Sequence, residues 1–474
     1  MSCEHEHERC HQEPLFAYSK LPTRILEIQG PRQVRLRVTD ENERERYACL
    51  SHCWGNISVI RTTKLTYSTY LEVVPWKALP STFKHAIDLT RRLGLRYVWI
   101  DSLCIVQDDA VDWRHEGSKM ASIYAHSYIT LVAAASKDSR YGLYRPEPPA
   151  LFIEYQMQQK ANQAPYSIYV HPRRDHYQFI SNKLPLFKRA WFHQERILSG
   201  RLVFFGETEL YWECRSGLKC ECGYMSEPPM TNTLADSKAP GDIKTWHDLV
   251  IRHTQLDLTF NTDIFPSLQG IASMWQQQWN HTYLAGLWKE HLVAGLMWHT
   301  KSAKPRSTTY IAPSWSWASV QSPVDWWTDL VVTHRNTKVT VVAVSTTPAG
   351  QDPKGEVTAG TLVLQGRGIR ATLEDPSDGW PQRKIQLCPG GVPSEAIFGQ
   401  ARDSWYPDVI LQQNVDVVLF CMVKEKKNVL DFLVLTKATG HTASYERVGL
   451  AMSFQEDVRS TFDRYSEEMT ITVV

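Results

Sequence analysis

The chain has 474 residues, a formal net charge of +1, 43% hydrophobic residues and 22% charged residues. That length allows two or three domains, and so balanced a charge excludes a protein that works through a strong field toward nucleic acid or a membrane surface. No apolar run approaches the ~20 residues of a bilayer span, and MSCEHEHERCHQEP lacks the apolar stretch of a secretory signal, so the ten cysteines are expected to be mostly reduced thiols in a cytoplasmic setting.

Residues 1–20 read as a polar N-terminal tail. Cys3, His5, His7, Cys10 and His11 are zinc ligands by type, but their spacing closes no site, and a mobile tail is the expectation. Leu21 to Val38 reads as a β-hairpin turning at Gly30-Pro31. Tyr47 to Leu50 is the first core strand, with Ser51-His52-Cys53-Trp54-Gly55 as its polar exit. Residues 56–80 look loop-rich. Ser81 caps a helix to Leu93 that Gly94 stops.

Leu93 to Ala135 organises the rest as strand, loop, helix and strand. Tyr97 to Asp101 is a short apolar run rich in β-formers. Trp113 to Ala125 is a helix with Asp108, Asp109 and Asp112 at its start, and Trp113, Glu116, Met120 and Tyr124 share its inner face. Tyr128 to Ala134 returns as a strand. Strands alternating with helices are the α/β pattern of a parallel sheet.

Arg145 to Gln163 reads as an excursion loop, Tyr166 to Val170 resumes order, and RILSGRLVFF (196–205) is a helix end, a glycine turn and a strand. Cys214, Cys220 and Cys222 offer only three local ligands, so free thiols beside a β-turn are expected and no metal site is assigned. Asn232 to Gly241 is a polar break. Lys244 to Trp298 is helical in period, with a helix beginning within Asp263 to Gly270, and from Val331 short alternating runs predict a β-rich region. The expected divisions are 1–20, 21–205, 206–325 and 326–474.

If the sheet is parallel, the strand exits meet on one edge, where open α/β sheets place their ligand sites. Glu116, Asp101, His52 and Cys104 are the candidate catalytic groups. Ser51, Trp54, Ser102, Trp113, Tyr124, His126, Arg189 and His193 are the candidate substrate-binding groups. Each has a structural alternative. Cys104 is equally a small buried hydrophobe. His52 is equally a satisfied core histidine, and Asp101 equally a partner for Arg189 or Arg201. Glu195 and Arg196 read equally as an internal ion-pair network. A carboxylate at Glu116, on a face that should be buried, costs several kcal/mol unless it has partners or a task. Trp315 and Trp317 are either core or the lining of an apolar pocket.

YACLSHCWG (47–55), YVWIDSLCIVQDD (97–109), DWRHEGSKMASIY (112–124) and RAWFHQERILSGR (189–201) resemble the fungal heterokaryon-incompatibility (HET) domain. DIFPSLQGIA, YLAGLW and APSWSWASV resemble the segment that commonly follows it. The resemblance covers roughly Leu21 to Val320 and implies an α/β parallel-sheet core, distantly similar to TIR domains, with a helical extension after it; the β-rich C-terminal region lies beyond it. Enzymatic TIR domains cleave the nicotinamide–ribose bond of NAD with a Glu on a helix after a sheet strand, in a W-x-x-x-E-like setting. Trp113 and Glu116 are similar in place but one residue closer. NAD is then an expected substrate, and no cofactor is required. His126-Ser127 and His193 depart from the family's pattern and are either extra acid–base groups or surface accidents. A stand-alone biosynthetic lyase, cyclase or hydrolase on a small molecule is the second reading. A non-catalytic signalling module that self-associates is the third. No nucleic-acid or membrane partner is expected.

Overall fold

The computed structural model describes residues 3, 7, 10, 19–55, 57–145, 153–157, 166–170, 176, 179, 181–228, 242–326, 337–374, 385–391, 397–398, 404–411, 414–424, 429–439 and 443–474. His5, His11, residues 146–152 and 158–163 of the expected excursion loop, and the whole Asn232 to Gly241 break lie outside them. The chain divides into two compact units, Met1–Asp236 and Ser237–Val474.

The first unit is built on one nine-stranded sheet. Its strands are β1 (Arg24–Gly30), β2 (Gln33–Val38), β3 (Tyr47–Ser51), β4 (Tyr97–Trp99), β5 (Ile129–Val132), β6 (Arg201–Phe205), β7 (Leu210–Cys214), β8 (Gly217–Cys220) and β9 (Ser226–Glu227). Across the sheet they run β9-β8-β7-β6-β5-β3-β4-β1-β2. Helices α1 (Ser81–Arg92), α2 (Ala110–Ala125) and α3 (Ala190–Leu198) lie in the connections between the central strands. Long crossovers of this kind permit parallel neighbours, and β4, β3, β5 and β6 are indeed parallel, as shown by Cys49 pairing with Trp99 and Thr130, and Val203 with Leu131.

The expectation of a parallel sheet is corrected at both edges. β1–β2 and β6–β7–β8–β9 are joined by turns of a few residues, which can link only antiparallel neighbours, so the sheet is mixed. The loop expected after β4 is also different. Asp101–Cys104 forms one helical turn, with the Asp101 carboxylate accepting the Ser102 N–H at 2.7 Å. Within the expected excursion loop, Ile153–Met157 is a strand, paired antiparallel with Tyr166–Val170, where order was expected to resume. α2 starts earlier than Trp113 because Asp109 caps it, accepting the N–H groups of Val111 and Asp112. The core under the sheet includes Leu26, Leu50, Phe83, Ile87, Trp99 and Leu131, all at most 1% exposed.

The second unit begins with α4 (Ile243–His253) and α5 (Gln269–Trp279), so the long helical period of Lys244 to Trp298 breaks up. After α5 the chain makes the short hairpin β10 (Tyr283–Leu284) and β11 (Leu287–Trp288), then the pair β12 (Trp298–Thr300) and β13 (Val324–Trp326). The β10–β11 turn places Ala285 and Gly286 at φ of 42° and 90°, a two-residue turn with both centres left-handed. The Gly286 carbonyl accepts the indole N–H of Trp246 at 3.0 Å and of Trp317 at 2.9 Å. A Cβ on Gly286 would come within 2.5 Å of the Trp317 ring nitrogen. Gly286→Ala is therefore expected to destabilise this unit by at least about 1–3 kcal/mol from the backbone alone. Thermal unfolding of the variant checks this, and an unchanged midpoint contradicts the turn. Trp315 and Trp317 are fully buried, which places them in the core.

The remaining strands are β14 (Val339–Pro348), β15 (Val357–Leu373), β16 (Ile385–Leu387), β17 (Ile397–Phe398), β18 (Ser404–Pro407), β19 (Val415–Lys424), β20 (Leu430–Lys437), β21 (Ser444–Ser453) and β22 (Glu467–Val473), with helix α6 (Glu456–Tyr465) before the last. The β-rich expectation for the C-terminal region holds. The long β15 pairs with β22 from Leu362 to Gly368 and with β19 from Gly368 to Leu373, and β22 pairs with β21 in parallel. With β19–β20–β21 in series, five strands close into a ring. No described helix in either unit is long and apolar enough to cross a membrane.

Candidate functional site

In chain order the four parallel strands β3, β4, β5 and β6 are arranged 2-1-3-4, so the chain leaves β3 to one side and returns to the other. Open sheets bind ligands at such a switch point, beyond the carboxyl ends of the strands. Ser51 is the last residue of β3, level with Val132 of β5, and is fully buried.

A carboxyl meets it there. Glu195, on α3, is 4% exposed and accepts a short hydrogen bond from the Ser51 hydroxyl. Burial pushes the Glu195 carboxyl up from 4.5 to about 7, although Arg189 and the Ser51 hydrogen bond favour its charged form. Asp101 adds negative charge nearby, and the Tyr124 hydroxyl, which donates to the Leu50 carbonyl at 3.3 Å, also lies beside Glu195. A carboxyl poised near neutrality suits proton transfer or charge stabilisation.

The polar exit of β3 completes the cluster. The Trp54 indole N–H donates to Asp101 Oδ2 at 2.8 Å. The buried His52 places Nδ1 3.9 Å from Asp101 Oδ1, beyond hydrogen-bond length, and sits edge-on to Phe83 at 5.0 Å. Burial pulls His52 down to about 4, with Asp101 opposing, so its imidazole is neutral at pH 7. Arg189 donates a short hydrogen bond to the His52 carbonyl. Gly55 ends the turn at φ +72°, where a Cβ would lie 2.4 Å from that of Asp138. Asp101, with 18% of its side chain exposed, and the half-buried Trp54 and Arg189 carry the cluster to the surface.

Other candidates fall elsewhere. Glu116 is 1% exposed, and its Oε1 lies 3.0 Å from His115 Nδ1 and 3.3 Å from Lys119 Nζ. His115, Lys119 and the exposed His126 line a cleft of about 570 Å³ together with residues 19–23, which is a separate place from the strand ends. Cys104 is a core residue, and burial pushes its thiol up to about 12, which weighs against a nucleophile. Ser102 is buried under Asp101 in the same helical turn. Trp113 packs edge-on against Trp191, ring centres 6.3 Å apart, where α2 meets α3. His193 is half-buried on α3.

Two of the residues with a structural alternative have partners in the structure. Asp101 is held by Trp54 and Ser102, while Arg201 lies over the Tyr128 ring at 4.8 Å. Arg196 pairs with Glu213 at 2.8 Å beneath Phe179, Phe187 and Phe204, so it is not the partner of Glu195. Neighbours on a helix project about 100° apart, which sends the two side chains to different places. Reading Glu195 with Arg196 hid the acid at the strand ends. The signal that could have found it is the W-x-x-x-E spacing of Trp191 and Glu195 in RAWFHQERILSGR.

Residues 47–195 match the family model described as Heterokaryon incompatibility protein (HET). The chain carries a HET domain. The matched segment opens at the first residue of β3 and closes at Glu195, so the HET domain encloses every member of the strand-end cluster. No curated protein and no solved structure matches the chain. Among the described residues, the groups able to surround a metal ion are Cys3, His7, Cys10 and Cys214, and His176, Glu209, Cys220 and Cys222, both apart from that cluster.

Proposed function

We propose that the HET domain is a glycohydrolase of NAD and that Glu195 is its working carboxylate. One observation carries this reading: a buried carboxyl, near neutrality, sits at the switch point of the sheet beside Ser51 and Arg189. Its position on a helix between the third and fourth parallel strands, four residues after Trp191, resembles the W-x-x-x-E setting of enzymatic TIR domains. In this role the Glu195 carboxylate faces the ribose carbon as the bond to nicotinamide breaks. The bonding pair leaves with the nicotinamide nitrogen, which becomes neutral, and the carboxylate offsets the oxocarbenium-like charge. Water then adds to that carbon and gives up a proton, leaving ADP-ribose. Arg189 holds Glu195 toward its ionised form, and Trp54 and Asp101 form the approach.

Incubating the purified chain with NAD and following nicotinamide by chromatography tests the proposal. Release is expected for the native chain and for Glu116→Gln, whose side chain is outside the cluster. No release at micromolar enzyme overturns it. A hydrophobic small molecule found at the strand ends instead would favour a biosynthetic role for the same groups.

A further inference from the structure

The antiparallel hairpin of β7 and β8 has an unusual core at each end. At its turn, Cys3, Cys10 and Cys214 form a buried cluster of three thiols with Trp212 against it. Cys3 and Cys10 belong to a strongly polar stretch, MSCEHEHERCHQ, yet they are 7% and 1% exposed. Such a stretch has almost no apolar surface with which to offset its own ordering. His7 joins the thiols: its Nδ1 lies 3.4 Å from Cys214 Sγ and 4.0 Å from Cys10 Sγ. The four ligand atoms are all within 4.8 Å of one another. Atoms ~2.0–2.3 Å from a shared tetrahedral centre are separated by roughly 3.3–3.8 Å, close to this spacing, and three Cys with one His is a structural zinc set.

At the other end, His176, Glu209, Cys220 and Cys222 gather in the same way. Cys220 and Cys222 Sγ are 3.2 Å apart, well beyond the ~2.05 Å of a disulfide. His176 Nε2 lies 3.2 Å from Cys222 Sγ and 2.7 Å from Glu209 Oε1. Glu209 Oε2 accepts the Cys222 backbone N–H at 3.0 Å, which fixes the carboxylate, while the buried Oε1 is turned to the His176 imidazole. A carboxylate fixed through one oxygen, with the other turned to the neighbouring imidazole, is the arrangement of a metal ligand held from behind.

The geometry points to two zinc ions, one at each end of this hairpin. The first, on Cys3, His7, Cys10 and Cys214, ties the N-terminal residues to a strand more than two hundred residues later. The second, on His176, Glu209, Cys220 and Cys222, ties the segment before α3 to the Cys-x-Cys turn. Thiolates and an imidazole select zinc over magnesium or calcium, and the donor sets offer no open position suited to catalysis.

The test is metal content of the full chain, purified with zinc supplied and chelators omitted, by elemental analysis and native mass spectrometry. Two zinc per chain are expected, falling to one in Cys10→Ser and one in Cys222→Ser. Because either variant may lose its fold, the native chain is also exchanged with cobalt. Tetrahedral cobalt absorption with thiolate charge transfer, abolished by added zinc, is expected. A native chain without stoichiometric zinc and without that cobalt spectrum overturns the proposal, as does a mass showing these cysteines oxidised in pairs. A count of one, lost in only one of the two variants, retires the other site. None of these readouts depends on turnover of NAD.

Discussion

Glu195→Gln is expected to cut nicotinamide release by orders of magnitude and yet to raise stability at pH 8. The folded chain holds this carboxyl near 7, against 4.5 unperturbed. Below pH 4.5 it is protonated whether the chain is folded or not, and carries no penalty. As pH rises above 4.5 the unfolded chain ionises first, so folding loses stability until the native carboxyl also ionises near pH 7. The accumulated loss is about 3 kcal/mol. Glutamine never ionises and escapes it, though its amide cannot reproduce the charge that Arg189 faces. The variant should therefore gain on the native chain progressively between pH 5 and pH 8, while turnover falls by roughly 10²–10⁴-fold. Thermal unfolding at the two pH values, beside a nicotinamide assay, checks both halves. A variant that loses stability equally at pH 5 and pH 8 removes the argument for a burial-raised carboxyl.

Asp408→Asn is expected to be among the most damaging single changes in the second unit. Arg447 is fully buried and its Nε donates to Asp408 Oδ2 at 2.8 Å. Its Nη1 donates to the Leu296 carbonyl at 2.5 Å, and Nη2 makes a short bond to the Trp298 carbonyl. The guanidinium lies 3.6 Å from the centre of the Trp298 ring. Burial disfavours both charges, raising Asp408 and lowering Arg447, so each depends on the other. Removing the carboxylate leaves a buried cation unmatched, at a cost of about 3–5 kcal/mol. Replacing both, as Asp408→Leu with Arg447→Met, should recover much of that loss. Chemical denaturation read on the second unit decides it, and a change below about 1 kcal/mol for Asp408→Asn would show the pair to be dispensable.

How much of this was legible depends on the range of the interaction. The strand at Tyr47, the helix from Ser81 to the Gly94 stop, and the strand after the glycine turn at 200 follow from patterns a dozen residues long. The hairpin turns that make the sheet mixed are short spacers in the sequence, but which strands they add at each edge is set by pairing across the sheet. Ser51 and Glu195 are 144 residues apart in the chain and meet only because β3, β5 and β6 are parallel and in register. Local reading favoured Glu116 instead, since it too is buried, but its partners are its neighbour His115 and Lys119 one turn on, both on the same helix. The same limit hid the cysteine groups. Cys10 and Cys214 look incomplete in sequence, each needing ligands from a segment roughly two hundred residues distant.

The indole rings around Gly286 give the second unit an optical signature of its own. Trp246 lies 5.2 Å from both Trp275 and Trp288, and Trp275 is 3.7 Å from Trp279. Chromophores this close exchange excitation and couple their strong far-ultraviolet transitions, so the circular dichroism of this unit should carry an indole exciton couplet. That couplet disappears when the rings separate, which gives a spectroscopic handle on melting of this half of the chain while the strand-end carboxyl in the other half is followed by its chemistry.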